Sequence, residues 1–225
     1  MTISISGPVR SKTELAYRRL RQAIVVSEIR PNEPLDEPAL MARFEVGRTP
    51  LREALKRLAL EQFIVWPQQR TPYVRAMTLG DLRKLYETRF LMEVPVCGLA
   101  AERATREALR ELDAALEGIG DAAAAGDIYR AVEMDYALHS AIASGTQNRF
   151  LAEAINNLNC GSLLLWYQAH HQLGLGDAHE THLSLVEAIR RRDRLEAEGL
   201  MRQHILTSQR RQQELHLLSG GSDRG

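Results

Sequence analysis

Residues 45–65, "EVGRTPLREALKRLALEQFIV", decide the fold of the N-terminal third of the chain. "EVGR" supplies a tight turn. "TPLREALKRLALEQ" then runs at helical spacing, with Pro50 near its first turn, where a missing N–H costs little. Just upstream, Asp36 has the chemistry of an N-cap for a short helix, "EPALMARF". Two short helices a few residues apart, the second opening on Arg48, Thr49 and Arg52, make a helix-turn-helix pattern. A longer amphipathic helix precedes them over 13–27, with Leu15, Leu20 and Ile24 on one face and Arg18, Arg19 and Arg21 largely outside it. "FIVWPQQRTPYVRA" follows, β-rich on both sides of a polar turn. It predicts a hairpin, the wing of a winged helix.

The chemistry suits that spacing. An arginine at the start of a recognition helix can donate a bidentate pair to guanine in the major groove. Arg48 and Arg52 lie one turn apart and share a face, and Thr49 with the helix N-terminus suits phosphate. Arg43 on the first motif helix, and Gln68 and Gln69 at the wing, complete the candidate contacts to double-stranded DNA. A winged helix used for protein contact, with solvated arginines, is the competing reading.

Charge is divided along the chain in the same sense. Of the 29 Lys/Arg and 29 Asp/Glu residues, the first 77 positions hold 13 basic and 8 acidic groups, and all seven histidines lie beyond them. A basic domain for a polyanion and an acidic, histidine-rich domain would account for this. No apolar run approaches the roughly 20 residues needed to span a bilayer, and the N-terminus lacks the apolar core of a signal peptide. A cytoplasmic protein with no membrane partner is expected. Cys97 and Cys160 are far apart and in no metal or redox spacing, as core residues of a reduced protein would be.

Beyond a short linker, "AMTLGD", helical periodicity dominates. Helices are predicted over 79–102, 105–125, 127–144, 147–172, 179–192 and 194–217, which makes an antiparallel helical bundle. The fold class is therefore mainly α: a winged helix-turn-helix over 10–76 and an all-helical bundle over 79–218, with 1–9 and 219–225 flexible. Within the bundle, "VEMDYALHSAIA" sets Asp135 and His139 four residues apart on the apolar stripe of Val132, Leu138 and Ile142. His182 falls in line with Val186 and Ile189, and His204 with Ala197, Leu200 and Met201. A buried carboxylate is costly unless something pairs with it. Three imidazoles and a carboxylate on three helices suit a divalent transition metal. On spacing alone, a hydrogen-bonded Asp–His core pair is the simpler reading. Arg89 is a further inward charge, either paired with Glu93 at i,i+4 or free to hold a carboxylate.

A resemblance sharpens these expectations. "LRQAIVVSEIRPNEPLDEPALMARF" and "VGRTPLREALKRLALEQFIV" resemble the DNA-binding region of GntR-family bacterial regulators, over about residues 10 to 75. Four positions depart from that pattern. Gly47 stands where Ser or Thr is usual, Asn32 where Gly is usual, and Pro38 where an Arg often contacts DNA. The wing, "PQQRTPYV", lacks its usual glycine. "DLRKLYETRFLMEVPVCGLAAERAT", "DYALHSAIASGTQNRFL", "ETHLSLVEAI" and "MRQHI" resemble helices of the FCD ligand-binding domain of the FadR-like subfamily.

That likeness implies a metal held by Asp135, His139, His182 and His204, zinc ahead of nickel or manganese, with Arg89 on a small carboxylate effector. It also implies a homodimeric repressor on a palindromic operator rather than an enzyme. His170, His171, His179 and His216 match nothing in the pattern and read as surface or helix-end residues, His179 being the one possible intruder near His182. The rival functions are a metal-dependent enzyme acting on small organic acids and an effector-independent DNA-binding protein.

Overall fold

The computed structural model describes residues 11–176 and 178–220. Of the segments expected to be flexible, residues 1–9 and 221–225 lie outside the described ones, whereas 219 and 220 fall within the last helix. The chain divides into two compact units between Thr78 and Leu79.

In the first unit, α1 (Lys12–Val25), α2 (Glu37–Phe44) and α3 (Arg48–Leu60) precede the strands β1 (Ile64–Val65) and β2 (Tyr73–Val74). Asp36 caps α2 by accepting from the Ala39 N–H at 3.0 Å. Leu20, Ile24, Leu51, Leu55 and Leu58 are buried between α1 and α3. A charged seam closes their edge. Tyr17 donates to Glu61 at 2.7 Å, and Arg57 donates to both Glu14 and Glu61 at 3.0 Å with its guanidinium over the Tyr17 ring. The hairpin pairs Ile64 with Val74 and Val65 with Tyr73. On its other side β2 bonds the segment before α2, through Asn32 N–H to Val74 and Leu35 N–H to Pro72.

Two of the positions that depart from the family pattern show how the backbone absorbs them. Asn32 and Gln69 both have positive φ, 65° and 56°, the left-handed region that glycine enters freely. Asn tolerates it well, whereas Gln at the wing tip pays a cost on the order of 1–2 kcal/mol. At Gly47 no side chain caps α3.

The second unit holds α4 (Leu79–Arg103), α5 (Arg106–Ala125), α6 (Ile128–Gly145), α7 (Arg149–Leu173), α8 (Ala178–Arg190) and α9 (Arg194–Gly220). These match the expected helices, with ends displaced by at most three residues. Thr105, Asp127 and Asn148 cap α5, α6 and α7 through their side chains. Tyr86 touches Ser208, Phe90 lies under Arg202, and Arg194 pairs with Glu102, so α4 and α9 run antiparallel. Leu112, Ile119, Leu138, Ile142, Leu185, Val186, Ile189 and Met201 fill the core. Among the described residues, no helix is long and apolar enough to cross a membrane.

The recognition helix depends on this packing. Leu55→Ala should destabilise the first unit by about 2–5 kcal/mol, the usual cost of such a core truncation. Leu60→Ala, at an exposed position of the same helix, should stay within about 0.5 kcal/mol. Denaturant unfolding of the two variants measures the difference.

Candidate functional site

Four helices bring polar side chains to one place inside the second unit, and a fifth adds an aromatic ring. Arg89 and Glu93 come from α4, Asp135 and His139 from α6, Trp166 from α7, His182 from α8 and His204 from α9. Each sits on the inward stripe of its helix, so ordinary hydrophobic packing is what delivers them. Arg89, Glu93, Asp135, His139 and His182 are all buried.

The innermost link is a relay through Glu93. Arg89 Nε donates to Glu93 Oε1 at 2.6 Å, and His139 Nδ1 lies 2.5 Å from Glu93 Oε2. Burial alone would raise the Glu93 carboxyl, but the Arg89 guanidinium and then His139 hold it down, to about 2. Glu93 is therefore an acceptor, and His139 must donate from Nδ1. In the neutral tautomer this leaves the lone pair on Nε2, which has no hydrogen-bond partner. A carboxylate fixing the tautomer of an imidazole in this way is the usual support behind a metal-bound histidine.

The Nε2 atom points toward a cluster of its own kind. His139, His182 and His204 each offer a ring nitrogen, all within 4.8 Å of one another. Asp135 Oδ1 stands 3.0 Å from His182 Nε2 and 3.6 Å from His139 Nε2. Asp135 Oδ1, His139 Nε2 and His182 Nε2 are buried atoms without a hydrogen bond. Donors bound to one ion at ~2.0–2.1 Å stand about 3.0–3.4 Å apart, a range that the 3.0 Å Asp135–His182 spacing meets and the 3.6 Å Asp135–His139 spacing slightly exceeds. Burial, then the neighbouring His182 and His139, keeps the His204 imidazole well below its ordinary value and hence neutral. Burial opposes ionisation of Asp135, yet His182 above all holds its carboxyl far below the usual range. The Asp135 carboxylate and the neutral His204 imidazole are in forms that ligate metal.

A cavity of about 280 Å³ opens beside the cluster, lined by Asp135, His182, His204 and Trp166 together with residues of α9. Arg89 is not part of its wall. It lies behind, with its guanidinium 4.8 Å from the Trp166 ring centre and 5.3 Å from that of Tyr86. The ion pair with Glu93 uses only Nε, and both terminal nitrogens have no hydrogen-bond partner. Both readings of Arg89 thus keep a physical basis. His170, read from the sequence as a helix-end residue, does lie in the last turn of α7, but it also lines the cavity. His179 packs against Gly120 of α5, and His171 stacks on Tyr167. Arg211, absent from the sequence-based candidates, lines the cavity two turns beyond His204. The signal was there, since His204, Thr207, Ser208 and Arg211 are spaced along one helical stripe.

In the first unit, Arg48 opens α3 and Arg52 follows one turn later, both exposed. Glu37 of α2 lies between them, 3.6 Å from Arg48 and 3.7 Å from Arg52. Thr49 is exposed beside them, and Gln68 and Gln69 form the exposed tip of the hairpin. Arg43 is turned instead to Glu28, at 2.5 Å, and over its neighbour Phe44.

Comparison with known proteins agrees with both units. Residues 12–74 match the profile of bacterial regulatory proteins of the gntR family, and residues 84–207 match the FCD domain. The HTH-type transcriptional repressor GlaR of Escherichia coli (strain K12) is 28% identical over 200 residues, covering 85% of this chain and 91% of that protein. The HTH-type transcriptional regulator LutR of Bacillus subtilis (strain 168) is 31% identical over 154 residues, covering 61% and 68%. Among solved structures, a GntR transcriptional regulator from Rhodococcus sp. RHA1 superposes with a TM-score of 0.73 at 22% identity, covering 90% of this chain and 98% of that one. Escherichia coli McbR/YncC superposes at 0.71 and 21% identity, covering 96% and 100%.

The relay makes Glu93 a sensitive position. Glu93→Gln keeps its shape but leaves Arg89 as an uncompensated buried charge, and should destabilise the second unit by about 3–5 kcal/mol. Urea unfolding in the presence of a chelator, which separates this effect from any bound ion, is the measurement.

Proposed function

This chain belongs to the GntR family of bacterial regulators and carries an FCD domain, and from that premise we propose a metal-dependent, ligand-controlled regulator of transcription. Its relatives are transcription regulators rather than enzymes, and GntR regulators bind operator DNA. One observation carries the finer reading: the convergence of Asp135 Oδ1, His139 Nε2 and His182 Nε2 as buried, unpartnered atoms. Leaving three such atoms unsatisfied would cost several kcal/mol, and a cation satisfies them together.

Asp135, His139, His182 and His204 would hold a divalent transition metal, zinc before nickel or manganese. When bound, it supplies an open coordination position for an oxygen of a small carboxylate effector. Glu93 holds His139 in its ligating tautomer. Arg89, with two terminal nitrogens unpaired, would take the second oxygen of that carboxylate once the Trp166 ring turns aside.

At the other end of the chain, Arg48 and Arg52 would read bases and Thr49 a phosphate, with Gln68 and Gln69 at the minor groove. Arg43 is the weakest member of that set, because Glu28 already engages it. Glu37 holds Arg48 and Arg52 together on the recognition face until DNA replaces it. We take the assembly to be a homodimer on a palindromic operator, since twofold proteins select twofold sites. The sense of control proposed is repression, following the repressor at 28% identity.

Two measurements test these halves separately. Arg52→Ala should weaken operator binding by about 1–3 kcal/mol and relax base preference at one position in each half-site. Equal weakening on operator and random DNA would remove Arg52 from base reading. For the metal, elemental analysis of the purified protein should find a divalent ion, and the His139→Ala, His204→Ala double variant should lack it. The metal should also raise the melting temperature of the native protein alone, because binding to the folded state stabilises it by mass action. Full occupancy in the double variant would remove the site.

A further inference from the structure

The recognition face of the first unit carries an acid as well as two arginines. Glu37 is the first residue of α2, and its backbone is fixed from both sides, by the Asp36 cap before it and by Pro38 after it. Leu40 and Phe44, buried from the same helix, seat α2 on the core. The carboxylate then divides between the two arginines of α3. Its Oε2 lies 3.6 Å from Arg48 Nε and its Oε1 3.7 Å from Arg52 Nε, one oxygen to each. These are ion-pair distances, too long for hydrogen bonds. The approach is to Nε in both cases, so the terminal nitrogens remain to meet O6 and N7 of a guanine. The Glu37 side chain is 21% exposed against 72% and 45% for Arg48 and Arg52, which places it beneath them rather than in front. Arg52 is steadied further by Trp66, just after β1, whose ring centre is 5.7 Å from the guanidinium carbon. Among the described residues, Arg48 has no side-chain partner beyond Glu37, and Arg52 none beyond Glu37 and Trp66.

Such an acid acts on DNA binding in two separable ways. An arginine side chain has rotamer freedom to lose when it is fixed on a base edge. Guanine accepts one geometry of the guanidinium, whereas the phosphates along a duplex accept many. Holding the guanidinium in place before DNA arrives therefore favours the base-reading complex and gives a random duplex nothing. The charge of Glu37 works on both. One carboxylate beside two guanidinium groups cancels part of their charge, which weakens attraction to any phosphate backbone whatever its sequence.

We propose that Glu37 is a specificity-determining residue of the DNA-binding unit. It orders Arg48 and Arg52 for base edges, and it removes part of the charge with which they would hold any duplex. This rests on the base reading proposed above for those two arginines.

The test uses the full chain with two duplexes: the one it enriches most from a randomised library, and a shuffled duplex of the same length and composition. Affinities are read by fluorescence anisotropy over a range of salt. Glu37→Gln removes the charge at nearly constant size. The slope of log affinity against log salt should steepen by about 0.9 on both duplexes, and the shuffled one should bind about eightfold tighter near 0.1 M salt. The enriched duplex should gain less, because the ordering of two long side chains is lost, so the ratio of the affinities should fall about fivefold or more. Glu37→Asp keeps the charge but is one methylene short of reaching both guanidinium groups. It should lower the ratio too, with the salt slope of the native protein. An acid that only supported the fold would move both affinities together and leave the ratio alone.

An unchanged ratio in the two variants, or an equal weakening of both duplexes, removes Glu37 from specificity. Tightening on the shuffled duplex that is as large in Glu37→Asp as in Glu37→Gln also overturns the proposal. Arg52→Ala on the same pair of duplexes keeps the two readings apart. If it lowers the ratio while the Glu37 variants do not, only the role of Glu37 falls. If it leaves the ratio unchanged, or if the library yields no enriched duplex, the base reading falls and the role of Glu37 with it.

Discussion

Glu93 is the constraint on which the centre of the helical unit depends. It is a buried carboxylate with two buried partners, a guanidinium on its own helix and an imidazole on another. Without Arg89 its charge would be untenable in that setting, and without His139 one of its oxygens would face apolar side chains. Both oxygens of Glu93 are engaged, Oε1 by Arg89 Nε and Oε2 by His139 Nδ1, with Glu93 ionised and His139 donating. The consequence is felt on the far side of the ring, where Nε2 carries a lone pair and meets two further imidazoles and a carboxylate. One ion pair thereby bears on the whole imidazole cluster through its contact with His139.

Stability alone does not account for such an arrangement. A buried ion pair contributes little or nothing net compared with well-packed apolar residues of similar volume, because desolvation offsets the attraction. The same unit shows that apolar packing was open to it, since Leu138, Leu185, Val186 and Ile189 are fully buried within a turn or so of the cluster. Four helices, α4, α6, α8 and α9, each place a polar group on an otherwise apolar stripe. The cost recurs on each of these helices, and the metal proposed above would offset it.

Much of this is legible in the sequence, and the limits have physical causes. Helix positions follow from periodicity and caps, and Asp36, as an N-cap, did what its chemistry required. Asp135 and His139 were readable because i,i+4 spacing on an apolar stripe is a local feature. Glu93 was visible only as a neighbour of Arg89, because its contact with His139 joins residues 46 apart in the chain. The cavity roles of His170 and Arg211 were also missed. His170 lies in the last turn of α7, where periodicity no longer tells inside from outside, whereas Arg211 lies within α9 on the stripe of His204 and was overlooked there. In the wing, which lacks the usual glycine, Gln69 takes the left-handed conformation itself.

The position of the relay also limits how ligand binding can be felt elsewhere. Arg89 and Glu93 lie on α4, which begins at Leu79, one residue after the DNA-binding unit ends. Ten residues separate Leu79 from Arg89, about 15 Å of continuous helix at 1.5 Å per residue. A ligand that draws on Arg89 must compete with Glu93 for it. Any change in that ion pair acts on the helix that leads directly into the recognition unit, and on His139 at once. On the proposed function, ligand binding at the cluster and DNA binding at α3 would be joined through one covalent element, α4. Since such coupling is a free energy shared by two equilibria, DNA must change the affinity for ligand by the same factor that ligand changes the affinity for DNA. A relay that only supported the core would produce no such reciprocity, because nothing in it would differ between the bound and unbound states.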